Sequence, residues 1–362
     1  MSVFNTNKFD HTKQYMFFGE ELGVARFDTM KYPKFDKLVE QHHGYFWRPS
    51  EVDLSKDRID FQERMSDIDR RIFTANLQYQ ILLDSVQGRS PVEVLLPICS
   101  LPELEAWIET WSFGETIHSR SYTHIIRNVM NDPSEVFDGI TKIPEILQRA
   151  DMVTSAYDEL EQLVYKYKLG VVDAKELHLP LFKCMISVYA LEAIRFYVSF
   201  ACSYSFNERK LMEGNCKIIK LINREEYLHQ GATHFILTRW LKNMDDPAMH
   251  KVAVDNLHLI PEILKETGEQ EKSWGRWLFK DGSVLGLNEK IIDSYVEYLV
   301  DKSCAELGQP EVYGVLSKGN PLPWMDSYTQ SDNVQLSPQE TELSSYIVGG
   351  FDSNLDNFAF EL

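Results

Sequence analysis

One helical face in the middle of the chain constrains the fold more than any other feature. Between Leu104 and Ile125, steps of three and four residues place apolar side chains at both ends of this face and polar ones between them. The polar positions are Glu115, His118 and Tyr122. A helix can bury such groups only if something pairs with them, because an isolated buried charge is very costly. The sequence therefore predicts an inward-facing helix that forms part of a larger site, with a metal ion as the natural partner.

Helical periodicity recurs along most of the chain, whereas convincing alternating patterns of the kind that β-strands show are scarce. Helices are predicted over residues 31–47, 60–88, 102–132, 181–204, 214–240, 247–278 and 288–306, with two further stretches within 143–168. Several of these patterns are long enough for the helices of a bundle. The sequence therefore predicts an all-α architecture.

The charge of the chain argues against one broad class of function. Among its 362 residues, 55 are Asp or Glu and 37 are Lys or Arg, which gives a formal net charge of −18. A nucleic-acid groove needs a basic stripe, and this balance does not favour one. We therefore expect an acidic protein without a nucleic-acid partner, in which metal-binding carboxylates add to the negative charge.

The cysteines and the N-terminus bear on the cellular compartment. The five cysteines are isolated and form no Cys-x-x-Cys pair, which predicts reduced packing residues rather than a disulfide framework or a zinc site. The first residues show no signal-peptide pattern, and no uninterrupted apolar run has the length of a membrane span. We therefore expect a cytoplasmic protein with no membrane partner.

The composition changes near the C-terminus. From residue 319 onward Pro, Ser, Asn, Gln and acidic residues dominate, and no Lys or Arg follows Lys318. The sequence thus predicts a bundle domain over residues 1–318 and an extended or flexible acidic tail over residues 319–362. The last residues, FDSNLDNFAFEL, combine acids with Phe and Leu, a composition that suits a peptide docking into a partner's groove.

A second Glu-x-x-His motif completes the pattern of the first. Glu226 and His229 lie on the inward stripe of their own predicted helix, as Glu115 and His118 do. A dimetal carboxylate site in a bundle uses two such helices and one carboxylate from each of two more. Inward-facing candidates occur on two further helices. The six predicted ligands are Asp84, Glu115, His118, Glu192, Glu226 and His229.

The joint pattern, and not any single motif, favours the metal interpretation. Glu40 and His43 show the same spacing, and we assign them no metal. Taken alone, a Glu-x-x-His motif is more often a hydrogen-bonded pair, and Glu192 could equally pair with Arg195. Four carboxylates can neutralise two divalent ions. Oxygen and imidazole ligands of this kind suit iron, with manganese close behind.

Seven segments carry motifs that are highly specific when taken together. They read FFGEELGVARFD, YFWRPSEVDLSKDRID, LLDSVQGRSP, WSFGETIHSRSYTHIIRN, LEAIRFYVSFACS, NREEYLH and SDNVQLSPQETELSSYIVG. These segments resemble the small (beta) subunit of class I ribonucleotide reductase, closest to the bacterial and phage type that carries a stable tyrosyl radical. The resemblance covers nearly the whole chain. It implies a ferritin-like bundle that forms a homodimer.

The resemblance also implies roles for the polar residues. In that family the positions of the six predicted ligands bind two irons in an oxo-bridged centre, with Glu115 and Glu226 bridging. Dimanganese or manganese–iron centres can share these ligands. The position of Tyr122 is oxidised to a neutral radical when the di-iron(II) form reacts with O2. By spacing alone Tyr122 would be a core tyrosine with a satisfied hydroxyl, and the resemblance reverses that interpretation.

Four further positions match the surroundings of the metals and the radical. Phe196, Phe200 and Ile222 match an apolar pocket around the radical, although the residues by themselves indicate plain core packing. Trp111 matches a donor that hydrogen bonds to the ligand at Glu192.

The family passes its radical over a long relay to a cysteine of a separate large subunit. Trp47 matches the internal tryptophan of that relay, Glu225 occupies the position next to it, and Tyr346 matches a tail tyrosine at the subunit boundary. A core-capping tryptophan and a solvated tyrosine are the alternatives for the first and the last. In the family, the C-terminal peptide docks to the large subunit.

The sequence departs from the family pattern at three places. Glu225 stands where an Asp is common, which puts in doubt its hydrogen-bond geometry toward His118. Gly114 stands where several relatives have Ser, and we expect looser packing beside Glu115. The loop at Leu169–Leu177 is shorter than the insertion of some relatives, and we expect no effect on the site.

The resemblance predicts the radical-generating subunit of a ribonucleoside-diphosphate reductase, which is active only with the large subunit and serves the reduction of ribonucleotides to deoxyribonucleotides. The chain shows no phosphate-cradling glycine loop, which agrees with nucleotide sites on the partner. One alternative is a di-iron oxidase or hydroxylase, which would not require Tyr122, Trp47 or Tyr346. A ferritin-like iron-storage protein would be shorter and lack the docking tail. A purely structural bundle would pair its buried charges instead of binding metal.

Overall fold

The computed structural model describes residues 4–329. Its helices are α1 (Pro33–Gly44), α2 (Ser55–Ile59), α3 (Asp67–Gln87), α4 (Pro102–Val129), α5 (Pro133–Ile140), α6 (Pro144–Lys168), α7 (Lys175–Ala190), α8 (Phe196–Glu208), α9 (Glu213–Leu241), α10 (Pro247–Asp255), α11 (Leu259–Phe279), α12 (Glu289–Glu306) and α13 (Asp326–Thr329). Shorter helical turns occupy His11–Lys13, Pro49–Glu51, Asp60–Arg64, Pro91–Leu95, Leu96–Ile98, Leu191–Arg195, Leu316–Lys318 and Pro323–Met325. Within this range the β contacts are isolated bridges, Phe17 with Cys99 and Val284 with Leu287. The all-α prediction is confirmed.

Local sequence explains where the helices of the site begin. The side chains of Ser66 and Asp69 form a reciprocal capping box at the start of α3. Pro102 occupies the first turn of α4, where its missing N–H leaves no hydrogen bond unmade. The buried Asp57 carboxylate accepts hydrogen bonds from backbone N–H groups in the first turn of α9. These caps set the register in which each helix presents its inward face.

Four helical runs form the bundle that holds the polar residues of interest. α4 packs against α3 and α9, and α8 packs against the same two helices. The apolar ends of the central face are fully buried, as at Leu104, Ile108 and Ile125. Each fully buried side chain of this size stabilises the fold by about 1.5–3 kcal/mol. The polar positions therefore lie midway along a bundle that is closed by apolar layers at both ends.

The run from α7 to α8 is one long helix interrupted by a π turn at Leu191–Arg195. By length and composition the run Lys175–Glu208 could cross a membrane, but 83% of its most apolar window is buried inside the structure. Core helices of globular proteins pass the same test when they are apolar all round. A π turn adds one residue to a helical turn and is frequent at functional sites.

Several predicted boundaries differ from the observed ones. Residues 143–168 form the single helix α6 instead of two stretches, because Val153, Tyr157, Leu160 and Val164 continue one buried stripe. The predicted pattern at 247–278 is split into α10 and α11. The short helix α5 was not predicted, although Asp132 caps it and Pro133 opens it.

The segment after Lys318 does not leave the bundle at once. Leu322, Met325 and Tyr328 are buried, and the ring of Tyr328 stacks on that of Tyr204 at a centroid distance of 4.4 Å. The extended tail predicted from residue 319 onward therefore does not begin before residue 330, because these apolar side chains find partners on α8 and its neighbours. The rest of the predicted tail lies outside the described residues.

The five cysteines are all free and buried. Burial raises the pKa of each thiol well above its ordinary value. They are packing residues with little thiolate character, as predicted.

Candidate metal centre

The six residues predicted as ligands lie together in the middle of the bundle. They form two overlapping groups, Asp84–Glu115–His118–Glu226 and Glu115–Glu192–Glu226–His229, in each of which the candidate ligand atoms lie within 4.8 Å of one another. All six side chains are buried. Glu115 and Glu226 belong to both groups, so they lie between two adjacent positions at which a cation could bind.

Each helix of the bundle contributes in a way that its inward stripe predicts. Asp84 lies in the last turn of α3, and the two Glu-x-x-His pairs lie in the middle of α4 and α9. Glu192 is the second residue of the π turn between α7 and α8. The spacing of three residues within each pair directs carboxylate and imidazole to the same side of a helix.

Both imidazoles turn the same nitrogen toward the shared carboxylates. His118 Nδ1 lies 3.1 Å from Glu226 Oε1 and 3.2 Å from Glu115 Oε2. His229 Nδ1 lies 2.8 Å from Glu226 Oε2 and 3.2 Å from Glu115 Oε1. Two histidine nitrogens and two shared carboxylates thus converge on the centre of the bundle.

The buried carboxylates of this centre lack enough positive charge and hydrogen-bond donors among the described side chains. Burial, reinforced by the nearby Glu115 and Glu226 carboxylates, raises the pKa of Asp84 and of Glu192 well above the ordinary range. One Glu192 oxygen accepts from Gln87 and the other has no donor among the described residues. The Asp84 carboxyl group has only the Tyr122 hydroxyl as a donor among the same residues. Unpaired buried carboxylate oxygens are costly. Four carboxylates and two imidazoles therefore fit two divalent metal ions by charge and by donor type.

The hydrogen bonds around the ligands differ in part from the prediction. Trp111 Nε1 donates to Glu115 Oε1 at 3.1 Å and not to Glu192 as predicted, because the two residues lie one turn apart on α4. Glu192 Oε1 instead accepts from Gln87 Nε2 at 2.9 Å. Gln87 was missed by the sequence reasoning. Its place one turn after Asp84 on α3 is the signal that could have identified it.

Glu192 also does not pair with Arg195, the alternative that the sequence left open. Arg195 Nη1 lies 3.3 Å from Glu271 Oε1, and the Tyr79 hydroxyl donates to the same oxygen. The guanidinium of Arg149 lies 5.0 Å from the Trp274 ring close by. We call Tyr79, Arg149, Arg195 and Glu271 the Glu271 cluster. All four are buried.

A chain of hydrogen bonds runs from the centre toward the protein surface. His118 Nε2 lies 2.8 Å from Glu225 Oε2, and Trp47 Nε1 donates to Glu225 Oε1 at 2.8 Å. Although burial acts to raise it, the pKa of Glu225 lies below its ordinary value because of its contact with His118. The glutamate thus reaches both partners, and the doubt raised by its extra methylene is resolved. A carboxylate in this position fixes the imidazole so that Nδ1 faces the centre.

Tyr122 lies on α4 one turn beyond His118 and is completely buried. Its hydroxyl lies next to the Asp84 carboxylate and has no other hydrogen-bond partner among the described residues. Burial, with added repulsion from Asp84 and Glu226, raises its pKa well above the ordinary range, so the phenol keeps its proton. Phe196, Phe200 and Ile222 are also completely buried, and the rings of the two phenylalanines stack at 5.7 Å.

The remaining positions to compare with the prediction lie on α1 and in the C-terminal tail. Glu40 and His43 are exposed on α1, which agrees with assigning them no metal. Their neighbour His42 is buried, and its ring lies 6.1 Å from that of His229. Sequence reasoning gave His42 no role, although it continues the apolar stripe of its helix. Tyr346 and the C-terminal peptide lie outside the described residues.

The chain is similar to known proteins over nearly its whole length. The family model described as "Ribonucleotide reductase, small chain" matches residues 25–321. The ribonucleoside-diphosphate reductase subunit beta of Haemophilus influenzae is 50% identical over 99% of this chain and 98% of its own length. The protein of the same name from Enterobacteria phage T4 is 41% identical over 98% of this chain and 97% of its own.

A solved structure shows the same fold. The ribonucleotide reductase R2 subunit from Clostridium botulinum superposes with a TM-score of 0.78 at 23% sequence identity and covers 91% of this chain and 98% of its own. The ferritin-like bundle is thereby confirmed. With relatives this similar over nearly their full length, and a family model that spans most of the described bundle, the chain belongs to the ribonucleotide reductase small-chain family.

Proposed function

We propose that this chain is the radical-generating subunit of a ribonucleoside-diphosphate reductase. The observation that carries the proposal is the pair of overlapping ligand groups that share Glu115 and Glu226. These residues would hold two adjacent cations, which would supply the redox chemistry for the activation of O2. A completely buried tyrosine lies one turn away on the same helix as two of the ligands.

We assign each of the six ligands, and the two residues that orient them, a role in holding the metals. Asp84 and His118 would hold one ion, Glu192 and His229 would hold the other, and both ions would share Glu115 and Glu226. Gln87 orients Glu192, and Glu225 fixes the His118 ring through its outer nitrogen. We propose iron for both ions, because hard carboxylate oxygens with one imidazole each suit it, and manganese is the alternative in one or both positions.

Tyr122 is the proposed site of the stored radical. To become a neutral radical, a phenol must lose one electron and one proton. The hydroxyl of Tyr122 is protonated and buried next to the Asp84 carboxyl group. Asp84 would be ionised when it holds a metal ion, and it could then accept the proton. Phe196, Phe200 and Ile222 exclude water, which protects a radical from reduction.

The first test is reconstitution. Fe(II) and O2 are added to the apoprotein, after which metal content and the electron paramagnetic resonance signal are recorded. We expect two irons per chain and a tyrosyl signal. Tyr122→Phe is the matched variant, since it removes only the hydroxyl, and it should bind the same iron without the tyrosyl signal. A tyrosyl signal that persists unchanged in Tyr122→Phe would contradict the assignment, and a chain that binds no metal would contradict the proposal as a whole.

We further propose that Trp47, Glu225 and His118 form the internal end of a radical-transfer route to a large subunit. The continuous hydrogen bonds from His118 to the indole support this role. Trp47→Phe keeps an aromatic ring but removes the donor. It should still form the Tyr122 radical, whereas ribonucleotide reduction with the large subunit is lost. Normal reduction by this variant would remove Trp47 from the route.

The partner, in this proposal, is the large subunit that binds and reduces ribonucleotides, and the C-terminal tail with Tyr346 docks to it. The family membership and the tail composition support this. Deleting the residues after Tyr346 should abolish reduction and leave iron and radical intact. A synthetic peptide of the deleted residues should inhibit the full-length chain. Loss of the radical in the truncated chain would indicate a folding role for the tail instead.

The exposed face of α4 supports a homodimer, which we propose as the working assembly. Phe113 is 51% exposed, and its ring stacks on that of the exposed Phe46 at 6.3 Å. Both line a groove of about 920 Å³ together with Arg120 and His124. Exposed aromatic pairs of this kind are enriched at interfaces. Sedimentation should show a dimer for wild type and a shift toward monomer for Phe113→Glu, and a wild-type monomer would contradict the assembly.

The cytoplasm is the proposed location, since the bacterial relatives are named as subunits of ribonucleoside-diphosphate reductase and the one described helical run that could cross a membrane is largely buried in the bundle. Fractionation of expressing cells checks this directly. The chain should appear in the soluble fraction, and recovery from the membrane pellet would contradict the proposal.

A further inference from the structure

His42 lies at the junction of α1 with the metal centre. It continues the buried stripe Phe35, Leu38 and Val39, and only 3% of it is exposed. Its ring lies 6.5 Å from that of Trp107 and 6.1 Å from that of His229. An imidazole enclosed in this way has little freedom to move, because buried side chains are close-packed on all sides.

The space for this ring comes from Gly114 on α4. A Cβ atom at position 114 would lie 2.4 Å from His42 Nε2 and 2.9 Å from its Cε1, both far inside van der Waals contact. The same Cβ would lie 3.6 Å from Glu225 Oε2. The predicted looser packing beside Glu115 is therefore wrong, because a histidine from another helix fills the space. The His42 ring in its observed position and a Cβ atom at position 114 therefore exclude each other.

The polar edge of His42 faces Glu225. The distance from His42 Nε2 to Glu225 Oε2 is 3.7 Å, slightly longer than a hydrogen bond, and this nitrogen has no other partner among the described residues. Glu225 already accepts from Trp47 at Oε1 and contacts His118 at Oε2. The imidazole therefore closes the remaining side of the carboxylate, which is completely buried.

We propose that His42, seated in the space left by Gly114, is a positioning residue that holds the Glu225 carboxylate against His118 and Trp47. A glutamate has one more rotatable bond than an aspartate, so it needs an additional contact to keep one conformation. The His42 ring supplies that contact by packing and by an N–H directed at Oε2. The effect on radical transfer rests on the proposed function, whereas the effect on the Glu225 conformation does not.

Four variants separate the contributions of donor, shape and space. His42→Leu removes the donor and keeps an apolar side chain. His42→Gln keeps an N–H donor. Gly114→Ala forces the ring away while leaving histidine in the sequence. Gly231→Ala on α9 is the matched control, because a Cβ there meets no atom within 4 Å. Melting temperatures establish that each variant folds.

Crystal structures of the variants give the primary readout. In His42→Leu and Gly114→Ala, Glu225 should lose the short contact with His118 Nε2, the hydrogen bond from Trp47 Nε1, or both. His42→Gln and Gly231→Ala should retain both contacts. A Glu225 that keeps both contacts in His42→Leu overturns the proposal. If His42→Leu does not fold, Gly114→Ala decides in the same way, since it displaces the same ring.

Turnover per radical is the second readout. His42→Leu and Gly114→Ala should reduce ribonucleotides about 10- to 100-fold more slowly at equal Tyr122 radical content, the range typical for groups that orient a metal ligand. His42→Gln should recover most of the rate. Unchanged turnover in His42→Leu also overturns the proposal. If the wild-type chain itself shows no radical or no turnover, the proposed function fails, and the crystallographic distances still decide the role of His42.

Discussion

The metal centre and the Glu271 cluster are both built from charged side chains that water does not reach. In the Glu271 cluster one carboxylate faces the guanidinium of Arg195, with Arg149 nearby and the Tyr79 hydroxyl as a further donor. In the metal centre four carboxylates face two histidines, which carry charge only when protonated. One cluster holds its own counter-charge, and the other depends on ions from outside. A buried carboxylate therefore indicates a metal site only when no Arg or Lys side chain from the surrounding helices pairs with it.

The largest loss of stability should follow from removing the carboxylate of the Glu271 cluster. Glu271→Ala leaves the buried Arg195 without its carboxylate, and removing one partner of a buried ion pair destabilises a protein by about 3–5 kcal/mol. Chemical denaturation of the apoprotein measures the loss. The control is Glu269→Ala two residues earlier, where an exposed carboxylate pairs with Lys272 and the loss should stay below about 1 kcal/mol. Equal losses in the two variants would contradict the importance of burial.

Metal binding at the metal centre should stabilise the folded protein by a comparable amount. Ions that bind only the folded chain raise its stability by about 2.7 kcal/mol per site at a hundredfold excess over the dissociation constant. Thermal unfolding with and without Mn(II) measures this without oxygen chemistry. Glu226→Gln removes a shared ligand and should abolish most of the shift, whereas Glu269→Ala should keep it. A metal-induced shift that survives in Glu226→Gln would contradict the shared-ligand arrangement.

The pH dependence of the apoprotein should distinguish the clusters further. Burial and neighbouring carboxylates raise the pKa of Asp84 and Glu192 in the folded state. Above about pH 4 the folded chain therefore still binds protons that the unfolded chain has released. The contribution of these two side chains to the free energy of unfolding is favourable at low pH and is lost as the pH rises. Although burial acts to lower it, the surrounding carboxylates also raise the pKa of His118 and of His229. These two side chains therefore also lose their contribution to stability as the pH rises.

The pKa of Glu225 is lowered instead, and its contribution changes only below about pH 4. The melting temperature of the apoprotein should accordingly fall between about pH 5 and about pH 8, and bound metal should flatten the curve. An apoprotein that gains stability over this range would contradict the excess of negative charge in the centre.

The smallest effect should come from removing a single charge from the metal centre. Glu192→Gln preserves shape and an oxygen for Gln87, and it removes one of the carboxylates that repel each other. Most point mutations destabilise by about 1 kcal/mol, but here the apoprotein should keep or raise its melting temperature. The same variant should bind metal less tightly. A clear loss of apoprotein stability would mean that the carboxylate has a structural partner.

The parts of the site that repeat with helical spacing could be predicted from the sequence. Glu115, His118, Glu226 and His229 lie on inward stripes, so a pattern of three and four residues was sufficient to place them together. Asp84 and Glu192 followed because each interrupts an apolar stripe. The six residues needed no knowledge of how the helices are arranged beyond the fact that their inner faces meet.

The remaining contacts depend on which helices are neighbours and on the rotamers of their side chains. Trp111 donates to Glu115, four residues later on the same helix, and not to Glu192. The spacing allows this hydrogen bond, but the rotamers decide which acceptor is used. Arg195 pairs with Glu271 from α11, a helix whose pattern contained no sign of the site. The π turn that carries Glu192 also escaped prediction. The run around it is apolar on nearly all sides, so the shift in phase that one extra residue introduces leaves no visible break in the pattern.

The close approach of Gly114 to His42 has a consequence for how such a chain can change over generations. With any larger residue at position 114, a histidine at 42 would collide with its Cβ, whereas a glycine at 114 opposite a smaller residue leaves only a small cavity. The two substitutions therefore have a permitted order, with glycine first and histidine second. Once both are present, a larger residue at position 114 meets the His42 ring, whereas replacing His42 alone only returns the pair to the state with the small cavity. The histidine therefore protects the glycine from replacement, and the glycine does not protect the histidine.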